Sequence, residues 1–193
     1  MHKLAALVLL STFGLAAAGC QASGSTAPAP VASASATSTS TANGADVMFA
    51  QMMIPHHQQA VAMSEAMLAK QGISTQVIGL ATQIRNAQQP EIDQLREWLK
   101  TWGAPEGGDH AGHGGMAGML TEQELGALRS AQGVEAEKLF LSGMIKHHEG
   151  AVAMAKDAQA KGTDAGVRTL ADAIVTSQQA EIDQMKKLLA ARS

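Results

Sequence analysis

The sequence predicts an all-α fold, a four-helix bundle made of two tandem helical hairpins with a short extra helix in the connection between them. Three observations predict it. From residue 45 onward Ala, Leu, Met, Gln and Glu dominate, all of them good helix formers. The segment Met53-Ile-Pro-His-His-Gln-Gln-Ala-Val-Ala-Met63 recurs as Met144-Ile-Lys-His-His-Glu-Gly-Ala-Val-Ala-Met154 at an offset of 91 residues, and Gln88-Gln-Pro-Glu-Ile-Asp-Gln-Leu95 recurs as Gln178-Gln-Ala-Glu-Ile-Asp-Gln-Met185 at an offset of 90. Each copy also holds two long helical stretches separated by a glycine break, and a short break between helices makes an antiparallel hairpin.

The chain opens differently. Residues 1–19 carry Lys3 followed by an apolar run, Leu4 to Ala18, too short for a secure membrane span and typical of an export signal. Ala17, Ala18 and Gly19 lead directly into Cys20. This resembles a lipobox, in which the cysteine is lipidated and becomes the mature N-terminus, although Ala17 stands where Leu is usual. The alternative is an ordinary signal peptide with a stray cysteine. A lipidated Cys20 would anchor the protein to the membrane. Gln21, rather than Asp, resembles outer-membrane sorting if the organism has two membranes. Residues 20–44 are mostly Ser, Thr, Ala, Pro and Gly, a composition that cannot bury enough apolar surface to order itself, and they are expected to form a flexible tether.

Residues 45–193 are long enough for one domain with a core. Repeat 1, residues 45–103, is expected to hold helices over about 46–70 and 74–101, broken at Gln71-Gly72. Residues 104–133 form a Gly/His/Met linker in which Thr121-Glu-Gln-Glu124 has capping-box spacing and should start a short helix over about 121–131. Repeat 2, residues 134–193, is expected to hold helices over about 134–160 and 164–191, broken at Lys161-Gly162. Pro55 and Pro90 stand where repeat 2 has Lys146 and Ala180. Each removes a helical hydrogen bond and tends to bend its helix. The expectation is a paired bend beside the His-His step; the alternative is that the first helix simply starts at Pro55.

Charge and cysteine content narrow the chemistry. The full chain has 14 basic and 17 acidic residues, a net −3. Losing Lys3 with the signal leaves 13 against 17, a net −4. No basic face appears, which argues against a nucleic-acid partner. Cys20 is the single cysteine, so an intrachain disulfide is impossible. If lipid consumes Cys20, any soft metal must rely on Met sulfur and His nitrogen.

The repeated motif offers both. At 100° per residue with Met53 at zero, His56 falls at about 300°, Met63 at about 280°, Met67 at about 320° and Met52 at about 260°, with His57 flanking at about 40°. In repeat 2, His147, His148 and Met154 take the same directions from Met144, while Gly143 and Ala158 replace Met52 and Met67. Met53 and Met144, which open the two motifs, join the candidate set. Thioether sulfur prefers Cu(I), and imidazole accepts Cu(I), Cu(II) and Zn. Such a face therefore favours copper, with Ag(I) as its mimic. The plainer alternative is that the methionines are core, since Met fills irregular gaps. The histidines would then belong to a hydrogen-bonded network with Gln88 and Gln178, which lie level with them, or with Glu91 and Glu181 one turn further away. The linker adds a separate candidate: His110, His113, Met116 and Met119 recur at intervals of three in a Gly-rich segment flexible enough to wrap an ion.

The motifs MIPHHQQAVAM, MIKHHEGAVAM and the two QQxEID blocks resemble the bacterial domain-of-unknown-function family numbered 305, over nearly all of residues 46–191. The resemblance implies a ferritin-like fold and secretion. Some members are periplasmic copper-binding proteins of the CopM type, which makes His56, His57, Met63, His147, His148 and Met154 the shared motif positions.

The expected function is an extracytoplasmic copper-binding lipoprotein that sequesters or buffers copper, partnered by the membrane through its lipid and by copper-handling envelope proteins. The alternative is a structural or partner-binding envelope lipoprotein with no metal role. An enzyme is not expected. A di-iron oxidase needs Glu-x-x-His on facing helices, and no Glu-x-x-His occurs in the sequence.

Overall fold

Helix signals in the sequence become five α-helices in the structure, a computed structural model that describes residues 42–107 and 116–192. They are α1 (Gly44–Leu68), α2 (Thr75–Thr101), α3 (Glu122–Ser130), α4 (Gly133–Lys161) and α5 (Ala165–Ala190). No strand occurs among the described residues, and none of their helices is long and apolar enough to cross a membrane. Cys20 and the expected signal and tether up to residue 41 lie outside the described residues.

Four of the five helices start where a side chain satisfies their first free amides, whereas α4 follows Gln132 with no side-chain cap. Asn43 caps α1 by accepting from the amides of Ala45 and Asp46, and Asp46 accepts in return from the Asn43 amide. Ser74 caps α2 and Asp164 caps α5. Thr121 and Glu124 form the capping box that opens α3. The turn between α1 and α2 uses Gly72 at φ 70°, a left-handed conformation that only glycine adopts freely. Pro55 and Pro90 lie inside α1 and α2. The first helix therefore begins at Gly44, not at Pro55. Its ladder continues past the proline although Pro55 has no N–H to donate.

The hairpins α1–α2 and α4–α5 pack on each other through α1 and α4, with α3 resting on α4 and α1. The core divides into two apolar clusters. One joins Met63, Met67, Val77, Leu80, Ile84, Phe140, Leu141, Met144, Ile182 and Met185. The other joins Phe49, Met53, Ile54, Ile92, Leu95, Leu99, Val167, Leu170 and Ile174. The early part of α1 shares a cluster with the late part of α4, so the two helices run antiparallel. Equal positions of the two repeats, such as Phe49 and Phe140, consequently fall at opposite ends of the core.

Two buried carboxylates fasten the hairpins together, and they too are repeat-related. Asp46 accepts from the amides of Thr163 (3.0 Å) and Asp164 (3.2 Å) in the turn between α4 and α5. Glu137, at the offset of 91, accepts from the Ser74 amide (2.5 Å) in the turn between α1 and α2 and pairs with Arg192. Burial alone would raise the Glu137 pKa, but the Ser74 amide and the Arg192 guanidinium hold the carboxyl below its ordinary value.

Phe140 is fully buried and Val134 is 57% exposed. Replacing Phe140 by Ala is expected to cost about 3–5 kcal/mol, whereas Val134→Ser should stay within about 0.5 kcal/mol of the parent. Urea unfolding midpoints of the two variants provide the check.

Candidate metal centre

Between the two apolar clusters lies a polar layer, and its centre is made of imidazole. α1 supplies His56 and His57, and α4 supplies His147 and His148; all four are fully buried. Consecutive residues on a helix point about 100° apart, so each pair divides its work. His56 and His147 face each other across the α1–α4 seam, with ring centroids 3.8 Å apart and planes tilted by 39°. His57 and His148 instead meet their own hairpin partners. His57 Nε2 lies 2.6 Å from Glu91 Oε2 on α2, and His148 Nε2 lies 2.8 Å from Glu181 Oε2 on α5. Glu181 also accepts from Gln83 on α2 at 2.9 Å, which joins the second pair to the first hairpin.

The carboxylates accept, so they hold the ring proton on Nε2 and leave Nδ1 facing the interior. A third imidazole hydrogen bond is with backbone: His56 Nε2 donates to the Ala117 carbonyl at 3.2 Å. All four Nδ1 atoms are buried without a hydrogen-bond partner, as is Nε2 of His147. Gln88 is buried in the same layer with both amide atoms unpartnered. The network thus runs through the glutamates, not through the glutamines that residue counting places level with the histidines.

Burial governs the protonation state. Desolvation, reinforced by His57, pushes the His56 pKa down to about 3, against a smaller opposing pull from the Ala117 carbonyl. Desolvation likewise holds His147 well below its ordinary value, with His56 and His148 acting in the same direction. Backbone of His56 near the His147 ring works the other way but forms no hydrogen bond with it. Near neutral pH both rings are therefore uncharged and carry lone pairs.

The methionines are distributed around this layer. Met53 belongs to one apolar cluster, and Met63, Met67 and Met144 belong to the other. Met52 and Met154 are half-buried and line a surface groove together with Met48. Met116 and Met119 are half-buried in the segment leading into α3, whereas His110 and His113 lie outside the described residues. Histidines of the two repeats are thus brought together, and the methionines expected beside them fill the flanking layers or the groove. Among the described residues no three His, Cys, Asp or Glu side chains form a ready-made ligand set.

Sequence reasoning missed a strap over the layer. Residues 116–120 cross the α1–α4 seam, where Leu120 is clamped on both backbone atoms by the Gln59 side chain, at 2.8 and 3.0 Å. On the α4 side the strap touches Gly150, where a Cβ would collide with the Ala117 carbonyl. Gly118 sits at φ 86°, where a Cβ would collide with the Lys146 carbonyl. Gln59 and Gly150 occupy the same repeat position. One grips the strap and the other makes room for it. The change from Gln-Gln to Glu-Gly after the His-His step was the available signal.

Similarity to known proteins agrees with this architecture. The profile of the domain of unknown function DUF305 matches residues 46–189. The chain belongs to the DUF305 family. Among solved structures, the DUF305 protein of Streptomyces coelicolor is 36% identical, with a TM-score of 0.72 over 77% of this chain and 93% of its own. A DUF305 fragment from Deinococcus radiodurans is 34% identical, with a TM-score of 0.70 over 78% and 98%. CopM in its Cu(I)-bound form is 33% identical, with a TM-score of 0.63 over 76% and 96%. CopM is also known in Cu(II)-bound and silver-bound forms. Among curated proteins, none is significantly similar to the chain.

Two predictions follow from the layer. Because His56 and His147 stay neutral in the fold, the unfolded chain binds more protons than the folded one below the ordinary histidine pKa of 6.5. Stability should fall as pH drops below 6.5 toward the lowered folded values, about 3 for His56, by up to about 1.4 kcal/mol per pH unit for each histidine. Urea midpoints between pH 7.5 and 5 should show this slope, and His56→Gln/His147→Gln should flatten it. Separately, Gly150→Ala should lift the strap and cost about 1–3 kcal/mol. Amide exchange at Leu120, measured by NMR, should then accelerate while exchange in α2 follows only the global loss.

Proposed function

We propose that this protein is an extracytoplasmic copper-binding lipoprotein that sequesters or buffers copper as cargo in the cell envelope. The observation that carries the reading is the set of four buried Nδ1 atoms without partners. A buried polar atom left unpaired costs free energy, and here four of them occupy one layer. Metal-binding histidines usually donate their other ring N–H to a carboxylate or a backbone carbonyl. Glu91, Glu181 and Ala117 stand in that relation to His57, His148 and His56. The similarity to CopM, solved with Cu(I), Cu(II) and silver, supports the same reading.

In this proposal the four long helices form a ferritin-like four-helix bundle whose middle layer holds the ion. His56, His57, His147 and His148 are the ligands, and Met63 and Met144 bring polarizable sulfur to the apolar cluster on one side. Imidazole and thioether favour Cu(I) over harder cations. The linker positions His110, His113, Met116 and Met119 would capture the ion from outside. Export and lipidation at Cys20 place the domain outside the cytoplasm, and the Streptomyces relative is assigned to the secreted proteins. No role in catalysis is proposed.

One observation favours a second reading. The short His57–Glu91 and His148–Glu181 contacts also tie each hairpin together, as a purely structural network in a metal-independent envelope protein would. Titration separates the two. Under reducing conditions, Cu(I) offered against a competing chelator should bind the full chain, and His56→Ala/His147→Ala should abolish the tight component. Glu181→Gln should weaken it about 10–100-fold by releasing His148. A chain that leaves all Cu(I) with the chelator favours the structural reading.

A further inference from the structure

The α1–α4 seam carries two grooves related by the repeat, and they have met different fates. One is lined by Leu139, Gly143 and Lys146 and is walled on its other side by Leu120 and α3, which leave a volume of about 310 Å³. Leu120 packs against Gly143, with its side chain 2.9 Å from where a Gly143 Cβ would stand. The other is lined, among the described residues, by α1 and α4 alone and keeps a volume of about 500 Å³. At the positions matching Leu139 and Gly143 it bears Met48 and Met52, and Met154 faces them from α4.

Packing alone does not account for these thioethers. Met48 is 42% exposed, and Met52 and Met154 are half-buried. Met63, the repeat mate of Met154, is fully buried in the core. Met48 and Met52 are four residues apart on one helix, which places their Cβ atoms about 6 Å apart on adjacent turns. Met154 closes the third side. Its neighbours on the groove wall, Ala153 and Ala158, are too small to block access. Thioether sulfur is a neutral, soft, polarizable ligand that selects monovalent copper or silver over hard cations. The titratable groups lining the groove, Asp157 and Lys161, are paired with each other at 2.6 Å and leave the sulfurs as the free donors.

We propose that Met48, Met52 and Met154 form a second soft-cation site, taking one Cu(I) or Ag(I) ion on three thioether sulfurs. The site is separate from the histidine layer and stands whether or not that layer binds metal.

Silver(I), added as its nitrate in chloride-free buffer, is the probe. In the full chain labelled with 13C at the methionine methyls, the Met48, Met52 and Met154 resonances should move together along one saturating curve. They should do so equally in His56→Gln/His147→Gln, so loss of the histidine layer and loss of this site give different results. The variant Met48→Leu/Met52→Leu/Met154→Leu should lose one bound ion by native mass spectrometry. Its unfolding midpoint should barely change, since Met-to-Leu exchange conserves volume. Methyl signals that stay still, a Leu variant that binds as many ions as the parent, or shifts that vanish with the histidines would each overturn the assignment.

Discussion

An imidazole pair that must remain uncharged sets the terms for this domain. With ring centroids 3.8 Å apart and no water-accessible surface, protonating both His56 and His147 would place two like charges together in a poorly solvated interior. Such an arrangement is prohibitive in a medium of low effective dielectric. The fold meets the constraint by keeping the layer thin and enclosing it on both sides with apolar clusters. It then places a carboxylate behind each outer histidine, where the charge can be shared with neighbouring donors rather than with the central pair. The uncharged rings that result are the form in which nitrogen can act as a ligand.

Repetition supplies the symmetric part of this arrangement, and small departures from it supply the rest. Asp46 and Glu137 are equivalent and do equivalent work, each reaching across to the turn of the opposite hairpin. Gln59 and Gly150 are equivalent and do opposite work, because only one linker exists and it can cross the seam in only one place. Met52 and Gly143 diverge for the same reason. Where the strap inserts Leu120, the helix surface has to recede to a glycine; where nothing inserts, a long side chain can stand.

Much of the fold was legible because the evidence for it was local. Helix lengths follow from composition, and their ends follow from Gly72, Gly162 and the capping box of Thr121 and Glu124. The α1 start was legible to within two residues, although its capping box of Asn43 and Asp46 was not part of the sequence signal. The site was legible as a face but not as an arrangement. A helical wheel gives the direction of Met52 and His56 but not what faces them at each height. Opposite His56 stands another imidazole; opposite Met52 stand Met154, two alanines and an open groove. Counting from the turns placed Glu91 and Glu181 a turn too far from the histidines, because it counts backbone positions and ignores the reach of a glutamate side chain. The strap could not be counted at all. Its path depends on two glycines in different segments meeting backbone to backbone.

The entry of the chain into the domain has a mechanical side. Asn43 bonds the Lys161 carbonyl and Asp46 bonds the turn that follows it, so the first turn of α1 is stitched to the far hairpin. A pull on the residues before Ala42 would therefore not peel α1 away turn by turn from its end. The load would divide between both hairpins at once, in shear across several hydrogen bonds, and the buried imidazoles at mid-height would be among the last groups to feel it.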